Sequence, residues 1–129
     1  MNLLLDTHVF PWYIVGDGRL STSFRTAIED PANPVFLSVA SVWECVIKYK
    51  LGRLPLPASP DAYLPRERER HEVEPLPIDE GTVVHLARLP QLHRDPFDRI
   101  LLAQCLQHDL RLVTADSLLK QYNLNLFGD

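Results

Sequence analysis

Five carboxylates in this 129-residue chain stand where chemistry is possible: Asp6, Glu44, the pair Asp95 and Asp98, and Asp116. Asp6 closes the apolar run NLLL (2–5), and Asp116 follows the apolar run LRLVT (110–114). Glu44 lies in SVWECVIKYKLG (41–52), and the aspartate pair brackets Pro-Phe in HRDPFDR (93–99). Carboxylates gathered at one place repel, by roughly 4 kcal/mol for a pair about 4 Å apart at an effective dielectric near 20. A shared proton or a bound cation has to offset that cost. No His or Cys pair at metal spacing accompanies these acids, so an oxygen-only ligand set suits Mg²⁺ or Mn²⁺ rather than zinc. Such ions keep several waters. One water, activated by the metal and a carboxylate, can attack a phosphodiester in line.

Each acid also has a local explanation. Asp6 and Asp116 can cap the helices that follow their strands. Ser41-Val-Trp-Glu44 has the form of a capping box, and Glu44 can pair with Lys48 one turn later. In DPFD, Asp95 is placed to cap a helix with Pro96 at its first position. Asp98 then falls in the first turn, where a carboxylate suits the helix dipole. Local pattern alone does not separate caps from ligands.

The elements that must position these residues alternate along the chain. Strands are predicted at 2–5, 35–38, 73–78, 110–114 and 123–127. Helices are predicted at 7–15, 20–30, 41–52, 79–89, 95–109 and from Ser117 onward. Pro11 is expected to kink or delay the first helix, and Pro65 to interrupt the charged, helix-prone stretch 61–71. The alternation implies one domain over residues 1–129, a parallel sheet of four to five strands with helices on both faces. Ligands of such sheets bind beyond the carboxyl ends of the strands. Asp6 and Asp116 sit at strand ends, and Glu44 and Asp98 lie near the starts of helices on the same edge, so the four acids are expected to converge.

Bulk properties bound the reading. Net charge is −4, from 13 basic and 17 acidic residues, so overall charge does not announce a nucleic-acid binder, though local patches matter more. No apolar run is long enough to cross a membrane. The start MNLLLDTH lacks the basic, longer apolar character of a secretory signal. Cys45 and Cys105 form no disulfide framework, and a cytoplasmic location is expected.

Four stretches in order, LLLDTHVFPW, SVASVWECVIKYKLGRL, LPQLHRDPFDRILLAQC and LRLVTADSLLKQY, resemble the PIN domain, and specifically VapC toxin ribonucleases of bacterial toxin–antitoxin pairs. The resemblance implies a three-layer α/β/α sandwich and a Mg²⁺-dependent endoribonuclease. It matches Asp6, Glu44, Asp98 and Asp116 to the family's acidic site, with Asp6, Asp98 and Asp116 as metal ligands. It sets Thr114 where the family keeps a small polar residue. It further implies a homodimer silenced by a cognate antitoxin lying over the cleft. Pro11 and Pro65 depart from the pattern without removing an acid.

Other residues carry two readings. Arg99 can meet a phosphate or form a surface salt bridge. Lys48, with Lys50 and Arg53, can position a phosphate or form a solvated face. Trp12 and Trp43 can stack on unpaired bases, although Trp43 is expected in the core. His93 is expected to fix the turn before Asp95. Two other functions compete. A phosphatase or receiver domain would need a second acid near Asp6, where His8 stands, or a late lysine. A pure binding module would leave the acids as caps.

Overall fold

The first strand shows why this chain layers as it does. In the computed structural model, which describes residues 1–92, 94–116 and 119 and the backbone of 126–127, β1 (Leu3–Leu5) is buried at every position. Successive side chains point to opposite faces of a strand. Leu3 and Leu5 accordingly enter one core, and Leu4 the other. The same alternation holds in β2 (Val35–Ser38), where Val35 and Leu37 face the first core and Phe36 packs on the second. In β4 (Arg111–Val113), Val113 and Leu112 divide in the same way. Strands buried on both faces read as continuous apolar runs, which is how they stood out in the sequence.

The sheet is wholly parallel, ordered β3-β2-β1-β4-β5, with β3 (Glu74–Leu76) and β5 (Leu126–Phe127) at the edges. Pro75 is tolerated in β3 because an edge strand has a free side. Helices α1 (Val9–Val15), α2 (Thr22–Glu29), α3 (Val39–Lys50) and α4 (Pro60–Arg70) contribute to the first core. Helices α5 (Glu80–Arg88) and α6 (Pro96–His108) contribute to the second. This is the expected three-layer α/β/α sandwich. The order reverses at β1: β2 and β3 build outward on one side, β4 and β5 on the other. The crevice where β1 and β4 part is the topological switch point.

Several local expectations change. Pro11 is the third residue of α1, where the missing N–H would have no intrahelical partner, and the helix starts at Val9 instead of residue 7, the delayed start expected of it. Pro65 does not interrupt α4, which runs through it. The lost backbone bond is offset by burial of Tyr63 and Leu64 on the same helix. Helix α3 begins two residues before the expected Ser41, with Ser38 as its cap accepting from the Ala40 N–H at 3.0 Å. It ends at Lys50, two residues before the expected Gly52, which takes the left-handed φ of 71° just beyond the cap. The helix expected from Ser117 and the turn at His93 lie outside the described residues apart from Leu119, which is buried.

Candidate active site

The cleft forms at the switch point because the chain turns polar as soon as β1 and β4 end. The last ladder bond joins the Asp6 N–H to the Val113 carbonyl at 3.0 Å. One residue beyond each strand, Thr114 Oγ1 donates to Asp6 Oδ2 at 2.7 Å. The same hydroxyl accepts from the Asp116 N–H at 3.0 Å, so Thr114 ties the two strand-end acids together. The Thr7 N–H donates to Asp6 Oδ1 at 2.8 Å. Both oxygens of Asp6 are thus oriented, and the residue is only 6% exposed.

Burial pushes the Asp6 carboxyl above the usual carboxylate range. The Thr114 hydroxyl and the Thr7 amide act in the opposite direction, and the nearby Asp116 charge adds to the rise. A buried carboxylate held at the end of a strand next to another acid is an electrostatic cost that a cation removes.

Glu44 arrives from the other side of β1. Because α3 starts at Val39, Glu44 is not in the capping position that the Ser41 spacing suggested. It lies deeper in the helix, 5% exposed, on the face toward β1. Thr7 Oγ1 donates to Glu44 Oε1 at 2.9 Å and stands 3.2 Å from Ser41 Oγ. Lys48 Nζ pairs with Glu44 Oε2 at 2.6 Å and lies 3.3 Å from His8 Nε2. Thr7 therefore joins Asp6, through its backbone, to Glu44, through its side chain. Sequence reasoning missed Thr7; the signal that could have found it was a hydroxyl residue immediately after the strand-end acid.

The remaining acids come from α6. Asp95 accepts from the N–H groups of Phe97 and Asp98 at 2.9 and 3.2 Å, which is the expected cap. Asp98 is the third residue of the helix and joins Asp6, Glu44 and Asp116 in lining one cleft of about 360 Å³. Trp43 is not in the core as expected: it is 55% exposed and meets Phe97 edge to face at 5.1 Å. The pair links the two helices beside Glu44 and Asp98. Its aromatic area is placed outward because the inward face of α3 carries Ser41, Glu44 and Cys45.

Of the residues expected to position substrate, Lys48 lines the cleft and Thr114 bonds to Asp6. Arg99 does not reach the cleft. Its guanidinium donates to the carbonyls of Pro90 and Leu86 at 2.9 and 3.4 Å, and it lines a separate groove with Arg94. One residue along a helix turns about 100°, so Asp98 and Arg99 face different surfaces. His8 and Trp12 line the acidic cleft as well.

As an ion site, this donor set is oxygen-rich, acidic and oriented by hydroxyls and amides. Among the described residues, no three His, Cys, Asp or Glu side chains form a group that holds a metal by themselves. Carboxylate oxygens are the donor chemistry that hard divalent cations such as Mg²⁺ or Mn²⁺ take, with water completing the shell.

The whole chain has recognisable relatives. A family model described as PIN domain matches residues 3–124. Over 61 residues the sequence is 38% identical to Ribonuclease VapC16 of Mycobacterium tuberculosis (strain ATCC 25618 / H37Rv), and this stretch spans 47% of the chain but only 43% of that relative. The fold is similar to that in the crystal structure of VapBC2 from Rickettsia felis bound to a promoter DNA fragment, with a TM-score of 0.71 and 17% identity over 98% of this chain and 96% of that one. It is also similar to that in VapBC-1 from nontypeable Haemophilus influenzae, with a TM-score of 0.66 and 18% identity over 94% and 91% of the two chains.

Proposed function

Because this chain belongs to the PIN-domain family, we propose that it is a Mg²⁺-dependent endoribonuclease, the toxin of a toxin–antitoxin module. The observation that carries the reading is the gathering of Asp6, Glu44, Asp98 and Asp116, from four separate parts of the sequence, around one cleft at the sheet's switch point. Caps alone do not need such convergence, and the repulsion it creates calls for a cation.

In this reading Asp6, Asp98 and Asp116 hold Mg²⁺, directly or through water, and Mn²⁺ can replace it. When bound, the ion supplies Lewis acidity that lowers the pKa of water and neutralises charge on the scissile phosphate. Thr114 and Thr7 hold the two Asp6 oxygens in fixed orientations, as a ligand to the ion would need. Glu44, deep in the cleft and fixed by Thr7, accepts the proton of the attacking water. Lys48 supplies a positive charge beside Glu44 for a phosphate oxygen. Arg99, turned away, has no part in the chemistry.

Partners follow from the same reading. The VapC-type relative and the VapBC complexes support a cognate antitoxin partner, which in this reading lies over the cleft. A homodimer is supported by Val39, Trp43 and Ile47, which recur at every fourth position of α3, and by Leu51 at its C-cap, all of which stay exposed. Ile47→Lys is expected to convert the dimer to a monomer in light-scattering measurements. Among the described residues no helix is long and apolar enough to cross a membrane. Both cysteines are free and buried, which supports action in a reducing cytoplasm.

The test is cleavage of total RNA with end mapping, with and without Mg²⁺. Asp6→Asn and Asp98→Asn are expected to abolish cleavage while circular dichroism shows a retained fold. Full activity in both variants, or activity indifferent to chelation, rejects the reading.

A further inference from the structure

The wall of the cleft opposite the aspartates is built differently from the acidic centre. It carries His8, Trp12 and Lys48. The His8 and Trp12 rings lie one helical turn apart, 25° from parallel with centroids 6.1 Å apart, an offset stack. His8 is exposed and Trp12 half-buried, so the two rings form a ledge at the cleft rim. The Arg19 guanidinium lies over the Trp12 ring at 5.0 Å and is itself gripped by Asp17 at 2.7 Å, which fixes the indole from outside the cleft. Lys48 Nζ stands 3.3 Å from His8 Nε2, at the inner end of the ledge and beside Glu44.

A hydrophobic-core role does not explain this placement. Trp12 packs against the core with part of its surface, yet its ring also borders the polar cleft. Aromatic ledges beside a positive charge are the usual means of holding an unpaired nucleotide, since any base offers a stacking face and its phosphate meets the cation. A base held inside a duplex cannot offer that face.

We infer that the His8–Trp12 ledge with Lys48 is a nucleotide subsite: an unpaired base stacks on the rings, and its phosphate is held by Lys48 at the edge of the acidic centre. This rests on the nuclease reading and adds to it the residues that hold an unpaired nucleotide, a part of the site that binds without metal. The subsite makes affinity for single strands independent of Mg²⁺, while cleavage depends on the acids.

The sequence has two tryptophans, so Trp43→Phe leaves Trp12 as the sole indole. That protein is titrated, in chelator, with a fluorescein-labelled single-stranded hexaribonucleotide and with a blunt RNA duplex, reading both anisotropy and Trp12 emission. Expected are saturable quenching of Trp12 by the single strand, little by the duplex, and coincident anisotropy and quenching curves. In the native background, Trp12→Leu is expected to weaken single-strand binding roughly tenfold or more and Trp12→Phe to restore most of it. Lys48→Met is expected to weaken binding and lower its salt dependence by about one phosphate contact. RNA that binds by anisotropy while Trp12 emission stays unchanged overturns the subsite and leaves the nuclease reading intact. So does equal quenching by the duplex, or absence of metal-free binding in a protein that still cleaves RNA with Mg²⁺. Loss of both binding and metal-dependent cleavage in the wild type rejects the two readings together.

Discussion

Helices α3 and α6 both present an acid three residues after a capping-type residue, Ser41-x-x-Glu44 and Asp95-x-x-Asp98, and they use the pattern in opposite ways. In α6 the local rule decides. Asp95 caps, Pro96 starts the helix, and Asp98 sits in the first turn with its own N–H bound by the cap. In α3 the start is set upstream, where β2 ends at Ser38 and the helix follows without a loop. Ser38 takes the cap, and Glu44 is carried into the helix body, where its partners are Thr7 from after β1 and Lys48. The same spacing is punctuation in one helix and a tertiary contact in the other. What separates them is how far the preceding strand extends, which pairing with its neighbours determines.

The comparison breaks most visibly on activity. Glu44→Gln is expected to lower RNA cleavage by roughly 10²-fold or more, the scale of a lost proton acceptor. Asp95→Asn, whose amide oxygen still caps, is expected to stay within a few-fold of wild type. Equal losses would mean that the two acids serve alike.

A smaller effect locates the helix starts. Asp95→Ala and Ser38→Ala are each expected to cost about 1 kcal/mol in urea denaturation, the worth of a cap. If Ser38→Ala costs nothing and Glu44→Gln costs that much, α3 starts at Ser41 and the contrast disappears.

The smallest effect concerns the acid between the two helices. Asp6 has its folded pKa raised above the ordinary 3.8, chiefly by burial. The folded state therefore binds the proton more tightly than the unfolded state. Stability falls as pH rises from 3.8 through the raised value, and the penalty persists at neutral pH. Asp6→Asn is expected to raise the metal-free Tm at pH 7 by a few degrees. The gain should shrink as pH falls below 3.8. A lower Tm at neutral pH would show that the carboxylate is a stabilising element instead of a strained ligand. Adding Mg²⁺ is expected to raise the Tm of the wild type alone.

Much of the frame was legible in the sequence. The runs LLL and VFLS read as strands because a strand buried on both faces is nearly continuous in apolar residues, and LRLV keeps that character at Leu112 and Val113 with Arg111 exposed at its start. Asp95 and Pro96 announced α6, because caps and prolines act on neighbouring backbone. Asp6 and Asp116 were marked as a pair by following strands of the same sheet. The family motifs in SVASVWECVIKYKLGRL and LPQLHRDPFDRILLAQC marked Glu44 and Asp98.

Other features depended on neighbours far away in the chain. That Trp43 faces outward and Glu44 inward follows from the packing of α3 on the sheet, which brings Glu44 against Thr7 just beyond β1. That Arg99 serves the carbonyls of Pro90 and Leu86 follows from where α5 ends. That Pro65 stays helical follows from what Tyr63 and Leu64 bury. Local sequence determined which segments became strands and helices, because backbone preference and apolar period act within a few residues. Tertiary structure alone decided which face of each helix met the cleft, because a side chain's environment is made by residues that only the fold brings near.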